Sequence, residues 1–335
     1  MSVNSFSVSK WSEIIYAIEN GIGDVTITLS KNINLAEEVD YIFGVEALFL
    51  SANITSLTFE GEGHRIINLT NDLNQVGAIF KTYANNPVKI TFKNLDFINL
   101  TLNNISLVYG QNATDEVEAI NCGFVGERNG TSYLFDISYK VTLKVCFFNI
   151  PWIGTGQNPQ KYLSLVTPPS SSSTATAHKA EYCWFKEHYT NWTLKNWSYN
   201  DVNTANKSTI WSFYFFMLDG CRIDGDMTML GDSHTGRSST VPIDLVHHKN
   251  RTEYTPTKMN VFDVDVTVGG AFTQANFGSW FGLYVNKVYN SNDELITNWS
   301  VSYDTNTGST YPCPIIATEE EAQSEATLAA MGFAI

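Results

Sequence analysis

The chain has 335 residues, of which 43% are hydrophobic and only 16% charged, and its formal net charge is −14. That length and apolar content exclude a disordered chain, and the acidic balance without any Lys/Arg cluster excludes nucleic acid as a partner, because phosphate binding needs a basic face. No run of about 18 apolar residues occurs and no basic segment leads into an apolar one, so neither a membrane span nor a signal peptide is expected and the chain should fold in a cytosol. Aromatic, Asn, Thr and Ser residues are frequent, a mix that favours strands and turns in an all-β chain. The eleven Asn-x-Ser/Thr triplets, Asn53 and Asn191 among them, read as a by-product of that Asn and Thr richness.

Residues 9–20 form the first patterned element. Trp11, Ile14, Ile15 and Ile18 recur at helical spacing, Ser9 is placed as N-cap and Gly21 can close the other end, which predicts a short amphipathic helix. Val25-Thr26-Ile27-Thr28-Leu29 then alternates as a strand, so the helix is expected to cover an edge that would otherwise recruit other chains.

Four of the five cysteines share one local pattern: Asn121-Cys122-Gly123-Phe124, Val145-Cys146-Phe147-Phe148, Tyr182-Cys183-Trp184-Phe185 and Gly220-Cys221-Arg222-Ile223. Extending it both ways gives one repeated position at Ile67, Leu95, Cys122, Cys146, Cys183, Cys221 and Val264, with steps of 28, 27, 24, 37, 38 and 43 residues. Such steps predict a parallel β-helix with loops inserted between rungs. Equivalent residues then stack about 4.8 Å apart, and Cys serves as a compact hydrophobe. In a reducing compartment, and without C-x-x-C spacing, neither disulfides nor a metal site is expected; Cys313 lies outside the pattern. A looser series at 77–80, 106–109, 132–135, 162–165, 210–213 and 243–246 predicts a second row of strands.

Further along, residues 168–178 are Ser-rich and read as a surface loop, and residues 281–289 and 295–303 read as a hairpin or a final coil. Thr318 and Glu321 fit a capping box for a closing helix that ends in Gly332-Phe333-Ala334-Ile335. The resulting organisation is an N-terminal cap over 1–24, a solenoid over 25–306 with insertions at 151–178 and 186–208, and a docking tail over 307–335.

The run Gly61-Glu62-Gly63-His64-Arg65-Ile66-Ile67-Asn68-Leu69 resembles the opening coil of pectate-lyase-like right-handed parallel β-helix proteins, and the closing helix with its Gly-Phe-Ala-Ile end resembles that of phage and prophage β-helix proteins. The resemblance implies an all-β, right-handed single-stranded parallel β-helix in a virion component made in the host cytoplasm. In the lyase branch of that fold, carboxylates bind Ca2+ and an Arg or Lys removes a proton; in the tailspike branch, paired Asp/Glu act as acid and base or nucleophile.

On that implication, an enzyme would use Asp219, Asp224 and Asp226 with Asp263 and Asp265 one coil later and Arg222 as base or clamp. Asp263 and Asp265, two apart on a strand, share a face. Asp219-Gly220 and Asp224-Gly225 are also ordinary turn chemistry, so no catalytic set is favoured. Trp184, Tyr189, Trp192 and Trp197 crowd one Asn-rich insertion and read either as a sugar-stacking surface or as cover for a long loop. The leading expectation is therefore a phage appendage subunit, tail spike, tail fibre or head fibre, acting in assembly and host attachment. It is expected to be a homotrimer docking to other virion proteins through its ends, with host glycan as a ligand and no cofactor. The alternative is a polysaccharide depolymerase, lyase or glycoside hydrolase, with Ca2+ as a cofactor under that reading.

Overall fold

Alternating apolar and polar residues dictate strands, and the strands form parallel sheets. The computed structural model describes residues 4–38, 47–70, 77–129, 133–150, 166, 178–186, 213–214, 216–219, 221–229, 246–247, 261–268, 287–289 and 294; from 213 onward, Cys221 and Glu294 apart, the description is of backbone alone. The first pass of the chain comprises β1 (Ser5–Val8), α1 (Trp11–Asn20), β2 (Gly23–Leu29), β3 (Ile33–Asn34) and β4 (Leu48–Phe49). The next three are β5 (Ile54–Glu60), β6 (Arg65–Ile67) and β7 (Gly77–Lys81); β8 (Lys89–Lys93), β9 (Asp96–Asn103) and β10 (Ile105–Tyr109); and β11 (Glu116–Ile120), β12 (Gly123–Asn129) and β13 (Phe135–Asp136). After these come β14 (Lys140–Lys144), β15 (Phe147–Asn149), β16 (His178–Glu181), β17 (Trp184–Phe185), β18 (Phe213–Tyr214), β19 (Phe216–Asp219) and β20 (Arg222–Met229). The series ends with β21 (Val246–His247), β22 (Val261–Val268) and β23 (Lys287–Tyr289).

The first sheet runs β1-β2-β5-β8-β11-β14-β16-β19, the second β3-β6-β9-β12-β15-β17-β20-β22-β23 and the third β4-β7-β10-β13, while β18 pairs β21. Passes two to four visit the three sheets in the same order, and every pair among the described strands is parallel. The fold is thus all-β, with α1 and a 3-10 turn over Leu35–Glu37 as the helices among the described residues.

Register explains the interior. In the second sheet Ile66, Phe97, Phe124, Phe148 and Phe185 are successive partners and all are buried. Phe97, Phe124, Phe148 and Phe185 stack with centroids 5.3, 5.2 and 4.9 Å apart and planes within 11°. Phe59 stacks on Phe92 at 5.2 Å from the first sheet, and Phe135 of the third sheet meets Phe124 edge-on at 5.6 Å. Each pass alone exposes its inner residues; only the pass above and below completes their burial.

The repeated position needs correcting at its ends. Leu95, Cys122, Cys146, Cys183 and Cys221 do lie on one interior row and are buried, but Ile67 pairs with Ile98 and Val264 with Gly225, three and four residues out of step. In the third sheet Phe80, Val108, Phe135 and Val166 are partners, so the second predicted row is displaced by one at residues 106–109 and 162–165. At the start, α1 forms as expected and buries Trp11, Ile14, Ala17 and Ile18, yet Lys10 occupies the N-cap position. Ser9 N and Oγ instead donate to Glu13 Oε2 at 2.6 and 3.2 Å. A strand, β1, precedes the helix and joins the same sheet as β2, so the predicted cap over 1–24 contributes to the sheet itself. The strand β23 adds in parallel to β22 as one more pass; residues 295–303 and the tail over 307–335 lie outside the described residues.

Two-residue corners join the first sheet to the second. The leading residues Asn94, Asn121, Val145 and Tyr182 have φ of 49, 52, 52 and 52°, the left-handed region that Asn tolerates and a β-branched residue does not. Asn121 Nδ2 donates to Asn94 Oδ1 at 2.8 Å and Asn94 Nδ2 to Glu60 Oε1 at 2.8 Å, so the corners are also tied along the stack. Val145, half exposed at 50%, interrupts that ladder and carries backbone strain without a compensating hydrogen bond from its side chain. Val145→Asn is expected to raise the unfolding free energy by about 1 kcal/mol, read by urea denaturation; an unchanged or lower value would contradict the strained corner.

Candidate functional site

A buried carboxylate with three donors sits where the third sheet turns back to the first. Asp115, 1% exposed, accepts from Val88 N and Asn112 N at 2.9 Å each and from Thr82 Oγ1. Thr82 in turn accepts from Gln111 N at 2.9 Å. Asn112 Nδ2 donates to Ala84 O at 2.7 Å, and Asn86 Nδ2 to Ala52 O and Ile54 O at 3.0 and 2.8 Å. Three successive turns are thereby fixed to one another. Burial pushes the Asp115 carboxyl up, outweighing the three donors, of which Thr82 is the strongest, that hold it down. No local sequence pattern marks Thr82 or Asp115, because 33 residues separate them.

The backbone brings together part of the predicted acidic set. Register pairs Asp224 with Asp263 and Asp226 with Asp265, and Asp265 with Lys287 on the next strand. Four carboxylate-bearing residues therefore occupy two adjacent positions on neighbouring strands, about 4.8 Å apart, with a lysine-bearing residue alongside. Asp219 belongs to the first sheet, paired with Glu181, and Arg222 lies between Trp184 and Val261. No group of three or more His, Cys, Asp or Glu suited to a metal ion occurs among the described residues.

Of the predicted aromatic set, Trp184 is half-buried on the outer side of the second sheet. Its ring meets Phe147 edge-on at 5.3 Å, and Lys186 Nζ lies 6.0 Å from its centroid. Tyr189, Trp192 and Trp197 lie outside the described residues. In the same outward row Arg65 Nε stands 3.5 Å from Asp96 Oδ2, and the neighbouring row carries the half-buried Ile67, Ile98 and Val125. The first sheet presents charge instead: Lys89 pairs with Glu118 at 2.6 Å, Lys140 with Glu116 at 3.3 Å and Lys144 with Glu181 at 3.6 Å.

The cysteine row is buried. Cys122, Cys146, Cys183 and Cys221 are free thiols, and Cys146 Sγ and Cys221 Sγ donate to Ala119 O and Ala180 O at 3.4 and 3.3 Å. The hydrogen bond with Cys146, together with burial, pushes the Cys122 thiol up, and burial does the same to Cys183, whereas burial of Cys146 is outweighed by its hydrogen bonds with Cys122 and Cys183, which hold that thiol down; all four side chains are buried and serve as compact packing groups. Arg128 is also fully buried; its Nε donates to Ile150 O at 3.1 Å, and desolvation lowers its pKa to about 10.

Comparison with family models, with curated proteins and with solved structures found no match to this chain. No helix among the described residues is long and apolar enough to cross a membrane.

Thr82→Val keeps the shape of the turn but removes the hydroxyl that serves Gln111 N and the Asp115 carboxylate. It is expected to cost about 1–3 kcal/mol at neutral pH. Losing a donor to the anion raises the folded-state pKa of Asp115 further, so the penalty is full above that value and shrinks as acid protonates the carboxyl. Denaturation at several pH values checks this; a pH-independent penalty would contradict the hydrogen bond to the ionised group.

Proposed function

We propose that the chain is a right-handed parallel β-helix and serves as a structural subunit of a bacteriophage virion appendage, a tail spike, tail fibre or head fibre, in assembly and host-surface attachment. The observation that carries the proposal is the recurrence of three parallel sheets visited in the same order over successive passes, with equivalent aromatic rings stacked through the interior. Such an object is stiff along its axis and presents long lateral faces, as an appendage requires. The virion assignment rests on the resemblance of the opening and closing segments to phage β-helix proteins.

The lateral faces differ in a way that supports self-association. The first sheet's outer charges are matched along the stack and belong in water, whereas the second sheet offers Ile67, Ile98, Val125, Phe147 and Trp184. Burying that face against two other copies gives a homotrimer. The test is purified particles: mass spectrometry is expected to find the chain in them, and electron cryomicroscopy to count it in multiples of three. Particles without the chain would overturn the proposal.

The register of Asp224 with Asp263 and Asp226 with Asp265 favours a second reading, a depolymerase that cleaves surface polysaccharide. Asp224→Asn combined with Asp263→Asn is expected to abolish release of reducing sugar under that reading; activity that survives the double substitution, or is never present, removes it.

A further inference from the structure

We infer that Phe49, Lys81, Tyr83 and Tyr109 form a carbohydrate-binding platform at the outer edge of the third sheet, a site distinct from the Trp184 region. Register places Phe49, Lys81 and Tyr109 side by side on β4, β7 and β10, one per pass. Tyr83, two residues beyond Lys81, brings its ring to 5.6 Å from that of Phe49 at an interplanar angle of 33°. Lys81 Nζ lies 4.9 Å from the Phe49 centroid and 5.6 Å from that of Tyr109.

Exposure distinguishes this cluster. Phe49 and Tyr83 are 44% and 41% exposed, and among the described exposed aromatic residues they are the pair whose rings meet. Two adjoining rings open to water have the chemistry that receives the apolar face of a pyranose, and the ammonium beside them donates to ring hydroxyls.

A second observation concerns rigidity. The turn that carries Tyr83 is held from beneath by the Thr82–Asp115 network and from the side by Asn112 Nδ2 on Ala84 O, while Leu50 N, next to Phe49, donates to Lys81 O at 2.9 Å. The rings are therefore held in place before a ligand arrives, which reduces the ordering cost of binding.

The inference does not depend on the virion assignment, since a glycan platform serves any surface-directed protein. The full chain is probed with an array of immobilised hexopyranose oligosaccharides, neutral and uronate-containing, and each hit is titrated by calorimetry. At least one saccharide is expected to bind, and Phe49→Ala and Tyr83→Ala each to weaken it about tenfold or more, equivalent to about 1.4 kcal/mol, while Trp184→Ala leaves it unchanged. Because both rings are exposed, the melting temperatures of the variants should stay near that of the parent; if Phe49→Ala unfolds, Tyr83→Ala on the turn carries the test. Absence of any bound saccharide, undiminished binding by both variants, or loss in Trp184→Ala alone would overturn the site. A negative array leaves the particle experiment untouched, so the two proposals fail separately.

Discussion

Among the described strands, the interior side chains stack on those of the pass before or after, at the same position in the strand. Phe124 illustrates the constraint: it stacks on Phe97 below and Phe148 above at 5.3 and 5.2 Å, and Phe135 closes it from the third sheet. A shift of one residue in β12 would turn that ring outward and replace it with Gly123 or Val125. The interior thus requires a common register through the stack, and the corners, ladders and lateral faces follow from it.

Holding register while turning from one sheet to the next requires a sharp corner of constant length. One residue in the left-handed conformation followed by one buried residue provides it, at Asn94-Leu95, Asn121-Cys122, Val145-Cys146 and Tyr182-Cys183. The small buried member explains the cysteines, since a thiol fits at the corner, and those of Cys146 and Cys221 donate to Ala119 O and Ala180 O on the pass before. Farther from the interior the constraint relaxes: β12 slips against β9 where Asn99 takes φ of 54°, and Gly126 fits because a Cβ there would lie 1.9 Å from Leu100 O. Insertions between passes are tolerated for the same reason, as only the rungs are fixed.

Much of this was legible in the sequence. The shared setting of Cys122, Cys146, Cys183 and Cys221 revealed repeated strands, and the helical spacing of Trp11, Ile14 and Ile18 revealed α1. The alignment failed at Ile67 and Val264 because several neighbouring apolar residues fit an alternating strand equally well, and hydrophobicity does not choose among them. The left-handed corner residue would have chosen: Gly63, with φ of 82°, corresponds to Asn94 and Asn121. Val145 and Tyr182 obscure that signal, being residue types that ordinarily avoid the conformation. Of the acidic set, spacing placed Asp224 and Asp226 one strand from Asp263 and Asp265, but the platform of Phe49, Lys81 and Tyr83 was invisible, since its members join only through the register of β4 with β7.

The central claim, that inward stacking between passes holds the fold, is tested most directly by comparing two phenylalanines one residue from the same row. Equilibrium unfolding of Phe148→Ala, which removes a ring stacked on Phe124 and Phe185, should show a loss of about 3–5 kcal/mol. Phe147→Ala, on the outer side against Trp184, should lose about 1 kcal/mol. Equal losses from the two substitutions would contradict the account.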